Sequence, residues 1–383
     1  MAEKIHIKTN PEVLKWARDS LVLSKPKAAD RIQISISGLE QLESGDRFPT
    51  LEELKSLAKA YNRTIATLLL HKPPKEKPLP KDRRTINSEL LGIFNEKSII
   101  AVRKARALVN SLIELKEEAG LPFTKFQYRY SLEDSPSVVA EKLRIEWNLD
   151  EFRQLENVND VLEAYIEHVE SLGVAVFQLS LTQDNLRGFS LVDEQMPVIA
   201  IKRGSESPTA KIFTLFHELG HIILNEGGIC DINFDPNAQQ IEKWCNAFAA
   251  EILVPSAQLL QMDIVQQYAS NNQKKWAKKD LIELSNHFHV GPLAILRCLL
   301  ENNLTTSTFY KEKHEAWTKP TFARSKIHEG RNIPKETIKE RGRTYISLAF
   351  KAYDQNKIDL KDLSDFLGVK LSYIPKTRLL LNI

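Results

Sequence analysis

Two histidines four residues apart, His217 and His221, interrupt the otherwise apolar run FTLFHELGHIIL at residues 213–224. On a helix this spacing sends both imidazoles from the same face. Two neutral nitrogens can then reach one metal ion at about 2 Å each. Glu218 follows the first histidine and is placed to address a water on the metal rather than to take a ligand position. Leu215, Phe216, Leu219, Ile222 and Ile223 can bury the rest of the helix as a dry, stiff platform. A buried carboxylate beside histidines is costly unless paired or coordinated. That cost favours a metal site over a chance match.

A catalytic zinc takes three protein ligands and keeps a position open for water. Glu242, in QQIEKWCNAFAAEIL, opens a helix 21 residues after His221. Asn246 and Ala249, four and seven positions on, share its face, and the small Ala249-Ala250 pair permits close helix packing. Glu242 is the expected third ligand. Asn246 is expected to hold a ligand or backbone group by hydrogen bonding. Cys245 competes because a thiolate binds zinc well, although a buried inert thiol is its commoner role. Cys230, Asp231 and Asp235, in the connecting loop, are weaker candidates. One zinc ion per chain would lower the pKa of a water and polarise a peptide carbonyl. Glu218 would accept the water's proton and deliver it to the leaving amine. For a further oxyanion donor, His287, His289, Tyr310 and His314 are available, and no spacing selects among them.

The elements around these residues follow from local pattern. The 383 residues, 42% hydrophobic and 27% charged, suit a globular chain of two or three domains. Three cysteines cannot make a disulfide framework, which points to the reducing cytoplasm. No apolar run approaches a bilayer span, and the first 20 residues lack the apolar core of a secretory signal. No membrane partner is expected. Five short helices are predicted over residues 10–70, with Asn10-Pro11, Ser24, Ser35, Thr50 with Glu53, and Thr64 as start signals and Gly45 as a stop. KPPKEKPLPKDRR, residues 72–84, has four prolines, six basic and two acidic residues, and reads as an extended linker. Mainly helical sequence follows, including a segment at 99–119 closed by Gly120. Strands are predicted at Gly173–Phe177 and at Pro197–Ile201. The second is favoured as an interior strand over an edge that could pair with a substrate. Helices resume at 208–224 and 238–253, and quieter helical patterns lie at 344–353 and 359–367.

Five helices in so short a span suit a compact helix-turn-helix domain. If the third helix enters a major groove, Ser35, Ser37, Glu40 and Gln41 could read base edges, with Lys25, Lys27, Arg31 and Arg47 near the backbone. Charge tempers this: residues 1–71 hold eleven basic and nine acidic side chains, and the third helix carries Glu40 and Glu43 with no base. DNA binding and protein interaction stand level on pattern alone.

The two signals together support a resemblance. ISISGLEQLESGDRFPTLEELKSLAKAYNRTIATLLL, residues 34–70, resembles the Xre/Cro-like helix-turn-helix family. FTLFHELGHIIL followed by IEKWCNAFAAEILVP resembles the ImmA/IrrE zinc metallopeptidases. The resemblance implies an α+β, mostly helical chain. Residues 1–71 would be a five-helix Xre-type domain, 72–84 a proline-rich basic linker, and 85–304 a zincin-like peptidase domain with a small sheet and the HExxH helix. Residues 305–383 would be a helical C-terminal extension without an assigned role. It further implies His217, His221 and Glu242 as zinc ligands, Glu218 as the catalytic residue, and a repressor-like DNA-binding protein as substrate. LSNHFHVGPLAILRCLLENNL, residues 284–304, would be the small helical region after the zinc site, with Val290-Gly291 in place of the usual VS pair. The N-terminal domain would bind double-stranded DNA or recognise another repressor, and a homodimer is compatible with it. Two positions depart from the family: Cys245 replaces a small alanine, and Trp244 stands where an acidic residue is common, which removes a rival to Glu242. The competing function is a DNA-binding regulator, of toxin–antitoxin or phage type, whose metal site is structural or sensory.

Overall fold

The computed structural model describes residues 5–82, 95–181, 186–192, 195–204, 206–230, 239–318 and 332–382. Two compact units divide the chain, Met1–Leu79 with Gly92–Lys104, and Pro80–Leu91 with Ala105–Ile383.

The first unit is a cluster of short helices, α1 (Pro11–Asp19), α2 (Lys25–Ile32), α3 (Ile36–Ser44), α4 (Leu51–Ala60) and α5 (Ile65–Leu68). Local side-chain bonds set most of their starts. The Asn10 side chain accepts from Glu12 N–H, Ser35 from Gly38 N–H and Thr64 from Thr67 N–H. Thr50 and Glu53 close a full capping box. Ser24 makes no such bond, and Pro26 in the first turn of α2 supplies the stiffness instead. Gly45 ends α3 at a φ of 89°, a left-handed geometry that costs glycine nothing. Leu14, Leu39, Leu42, Leu54 and Leu57 fill the core.

One ionic pair lies inside that core. Arg18 of α1 donates to both carboxylate oxygens of Glu43 on α3, at 2.6 and 3.0 Å, and to the Leu23 carbonyl at 2.9 Å. Both side chains are at least nine-tenths buried. Glu43 therefore faces inward and adds no charge to the exposed side of α3. Glu43→Ala is expected to cost about 1–3 kcal/mol, because it removes two charge-assisted hydrogen bonds and leaves the buried guanidinium with the more exposed Asp19, 2.7 Å away, as its remaining ionic partner. Urea unfolding of the full chain would read the loss. The joint change Arg18→Met with Glu43→Leu should recover most of it.

Residues 72–79 group with the first unit. Glu76 accepts two bonds from Arg63, at 2.5 and 2.9 Å, and lies 3.8 Å from Arg103. Arg63 in turn stacks over Trp16 at 4.4 Å. Helix α6 (Glu96–Glu118) also begins in this unit: Glu96 pairs with Arg31 and with Lys27, and Arg103 donates to the backbone and hydroxyl oxygens of Ser20. Arg83 and Arg84 of the proline-rich run lie outside the described residues.

The second unit is built on a mixed sheet of β1 (Lys81–Asp82), β2 (Ala175–Leu179), β3 (Gly188–Leu191), β4 (Val198–Lys202) and β5 (Gly228–Cys230), in the order β1-β5-β3-β4-β2. β2 runs parallel to β4, β3 antiparallel to β4 and β5, and β1 parallel to β5. β4 is thus an interior strand with both neighbours paired, and no substrate can add to it. Its apolar sequence fits that position, since a strand buried on both faces has no need to alternate. Helices α7 (Pro136–Glu146), α8 (Val158–Ser171), α9 (Pro208–Ile223) and α10 (Gln240–Leu253) surround the core, with α9 packed on β3, β4, α8 and α10.

Five shorter helices follow, α11 (Ser256–Gln261), α12 (Asp263–Ser270), α13 (Lys278–Phe288), α14 (Pro292–Glu301) and α15 (Ser307–Thr318). The C-terminal helices α16 (Ile333–Arg341), α17 (Arg343–Asp354), α18 (Leu360–Leu367) and α19 (Ile374–Leu381) belong to the same unit. α16 packs on β2, and the Thr344 hydroxyl of α17 donates to Glu170 of α8. Among the described residues, no helix is long and apolar enough to cross a membrane.

Candidate metal centre

Helix α9 opens on Ser207, whose side chain accepts from Ala210 N–H, with Pro208 in its first turn. Every residue from Ile212 to Ile223 is buried, so the helix is enclosed on all sides and each face meets a different neighbour. Thr214 and Glu218, four apart, face Gly188 on β3. Gly220 meets Cys245 on α10: a β-carbon added to it would lie 3.2 Å from the Cys245 sulfur and 3.3 Å from its Cα. That crossing brings Glu242, at the start of α10, to the two histidines. Gly220→Val would push the helices apart. It is expected to weaken metal binding by about 10- to 100-fold, the range seen when the support of a metal ligand is lost. Competition against a chelator would measure it.

His217 Nε2 and His221 Nε2 lie 3.2 Å apart. The Glu242 carboxylate completes a triangle, with Oε2 3.3 Å from His217 and Oε1 3.4 Å from His221. A tetrahedral ion holding nitrogen and oxygen at 2.0–2.1 Å needs ligand–ligand edges of roughly 3.3–3.4 Å. The His217–His221 edge and the approach of each imidazole to the carboxylate fall in that range, the two rings meeting different oxygens of Glu242. Among the described residues these three form the one group whose donor atoms converge in this way. All three residues are at most 1% exposed, and both Glu242 oxygens lack a hydrogen bond of normal geometry. A buried carboxylate left in that state is expensive, and a divalent cation removes the expense. The residues present fit a metal.

Electrostatics couples the group. Burial alone would raise the Glu242 carboxyl, yet the two imidazoles hold it far below the usual carboxylate range. Burial would lower His217, but Glu242, Glu218 and Asn246 raise it above its ordinary value. Burial pushes Glu218 up to about 8, against the pull of His217 and of the Ser190 hydroxyl. Asn246, 8% exposed, lies beside His217, and its Oδ1 and His217 Nδ1 are both buried without a formed hydrogen bond. A small rotation would let the imidazole donate to that oxygen and fix the ring.

The neighbours of Glu242 on α10 are turned elsewhere. Trp244 donates its indole N–H to the Asp134 carbonyl at 2.8 Å and stacks on Phe248. Cys245 is buried against Gly220. Asp231, Asp235 and the Cys230 side chain lie outside the described residues. The oxyanion candidates are dispersed: His287 meets Phe288 edge-on, the His289 Nε2 is 3.2 Å from the Arg153 carbonyl, and Tyr310 packs near His314.

In the first unit, Ser35 caps α3, and its oxygen accepts from Gly38 N–H at 3.0 Å. Ser37, Glu40 and Gln41 are exposed on α3. Lys25 pairs with Glu40 at 2.9 Å, and Arg47 binds Glu53 at 3.0 Å. The bases expected near a DNA backbone therefore already have acidic partners within the unit.

Two family models match the chain. Residues 169–299 match the IrrE N-terminal-like domain of the M78 peptidases, a span that holds β2 to β5, α9 and α10. Residues 14–68 match a helix-turn-helix model and cover most of α1 to α5. The chain joins a helix-turn-helix domain to an IrrE-like peptidase domain. The pairing matches the architecture of ImmA/IrrE proteins fused to an Xre-type domain, and the His-His-Glu group falls inside the span that matches the peptidase model. No curated protein matches the chain. Within the IrrE-like domain, two small residues of β3, Gly188 and Ser190, are not legible from the sequence as part of the site. Their only signal was the apolar alternation of GFSL, too short to register as a strand.

Proposed function

We propose that the chain is a zinc-dependent endopeptidase that regulates transcription by cleaving a repressor-like DNA-binding protein in the cytoplasm. The observation that carries this reading is the buried triangle of His217, His221 and Glu242 with the Glu218 carboxylate beside it. One zinc per chain would be held by those three residues, with Asn246 steadying His217. The ion supplies Lewis acidity, which polarises a peptide carbonyl and makes water acidic enough to lose a proton near neutral pH.

The side chains then divide the work. Glu218 accepts the proton of the attacking water and returns it to the leaving amine. A nearby dication favours its charged form, opposing the burial that raises it. The histidines and Glu242 stay fixed because α9 and α10 cross closely at Gly220. A structural or sensory site has no use for Glu218, since burying a carboxylate costs stability. That favours hydrolysis over the regulator-only reading.

The N-terminal domain is assigned a recognition role, on double-stranded DNA through Ser35, Ser37, Glu40, Gln41 and Arg47, or on the substrate repressor, with a homodimer as one assembly. Incubating the zinc-loaded protein with a candidate helix-turn-helix repressor should yield a discrete fragment. Chelator should abolish it. Absence of any fragment from that partner would count against the choice of substrate, and a fragment that persists in chelator would count against the metal.

A further inference from the structure

Strand β3 reads Gly188-Phe189-Ser190-Leu191, and alternation places Gly188 and Ser190 on one face. Gly188 identifies what that face meets. A β-carbon there would lie 2.7 Å from Thr214 Cγ2 and 3.1 Å from Glu218 Oε1. The face is therefore pressed against the Thr214–Glu218 side of α9. Ser190, next on the same face, is 0% exposed, as is Glu218. Its hydroxyl has no formed hydrogen bond, and neither does either Glu218 oxygen. An ionised carboxylate only accepts, and a serine hydroxyl can rotate to donate.

We propose that Ser190 is the positioning residue for Glu218, donating its hydroxyl to one carboxylate oxygen and leaving the other for the reacting water. The inference rests on the metallopeptidase reading above. The strand is braced on both sides. Ser190 pairs with Ile199 of β4, and Gly227 approaches so closely that a β-carbon on it would lie 2.9 Å from the Ser190 carbonyl oxygen. A rigid strand can hold a hydroxyl where a loop could not. If the position served packing alone, alanine would fill it without burying a polar atom.

Acetohydroxamate tests this without a known substrate. A hydroxamate chelates a metal and shares its proton with a carboxylate beside the metal. Titration calorimetry on the full-length zinc-loaded protein should show Ser190→Ala binding it about 10-fold more weakly, the scale of one lost hydrogen bond to a charged group. Zinc content and melting temperature should be unchanged. In a Glu218→Gln background, Ser190→Ala should have no further effect, since the group it positions is gone. Wild-type affinity in Ser190→Ala, an equal loss in both backgrounds, or loss of zinc would each overturn the assignment. If Glu218→Gln alone binds hydroxamate as the wild type does, Glu218 does not face the metal. The peptidase reading would then fail first, and this inference with it.

Discussion

Glu218→Gln is expected to slow cleavage of the protein substrate by about 10²- to 10⁴-fold, the usual contribution of a positioned acid–base group. The same variant should keep its full complement of metal. The two outcomes separate because the carboxylate lies outside the ligand triangle, on the side of α9 that faces β3. Glutamine preserves the shape of the buried side chain and removes its capacity to take a proton. The variant should also be at least as stable as the wild type, because it no longer buries an ionisable carboxyl. Single-turnover cleavage and metal analysis on one preparation, with a melting curve, would check all three points. Unchanged cleavage would make Glu218 a bystander.

Glu242→Ala is expected to have the largest effect on the metal. It removes the carboxylate that faces both imidazoles at 3.3 and 3.4 Å and leaves two buried ring nitrogens 3.2 Å apart. Affinity should fall by more than about 100-fold, beyond what is typical of losing a group that merely supports a ligand. Glu242→Gln, which keeps the size and loses the charge, should fall between the two. Protons compete for the same site. Because His217 is raised above its ordinary value, metal uptake should weaken as the pH drops through that raised value and the ring becomes charged. Metal titrations at several pH values would show the trend, and the reverse trend would contradict it.

Much of the helical framework is set locally, which is why so much of it was legible. The starts of α1, α3, α4 and α5 depend on side chains bonding to backbone two or three residues away, and those pairs are visible in sequence. The face shared by His217 and His221 also follows from helical spacing, whereas Glu242 reaches them through the crossing of α9 and α10 at Gly220. The features that escaped are those made by distant partners. Glu43 reads as an exposed acid until α1 brings Arg18 to it. β1 is two residues inside a proline-rich run, and only its pairing with β5 makes it a strand. Glu76, in the same run, is held by Arg63 and so belongs to the helical unit. Ser190 meets Glu218 through sheet register and helix packing, neither of which leaves a mark on the four residues of β3.

The ligand triangle itself is open to direct measurement. A crystal of the protein grown with zinc, with anomalous data collected on both sides of the zinc absorption edge, should show one peak per chain. That peak should lie about 2 Å from Nε2 of His217, Nε2 of His221 and one oxygen of Glu242. Zinc bound elsewhere, with the three side chains still in contact and no peak among them, would contradict the account.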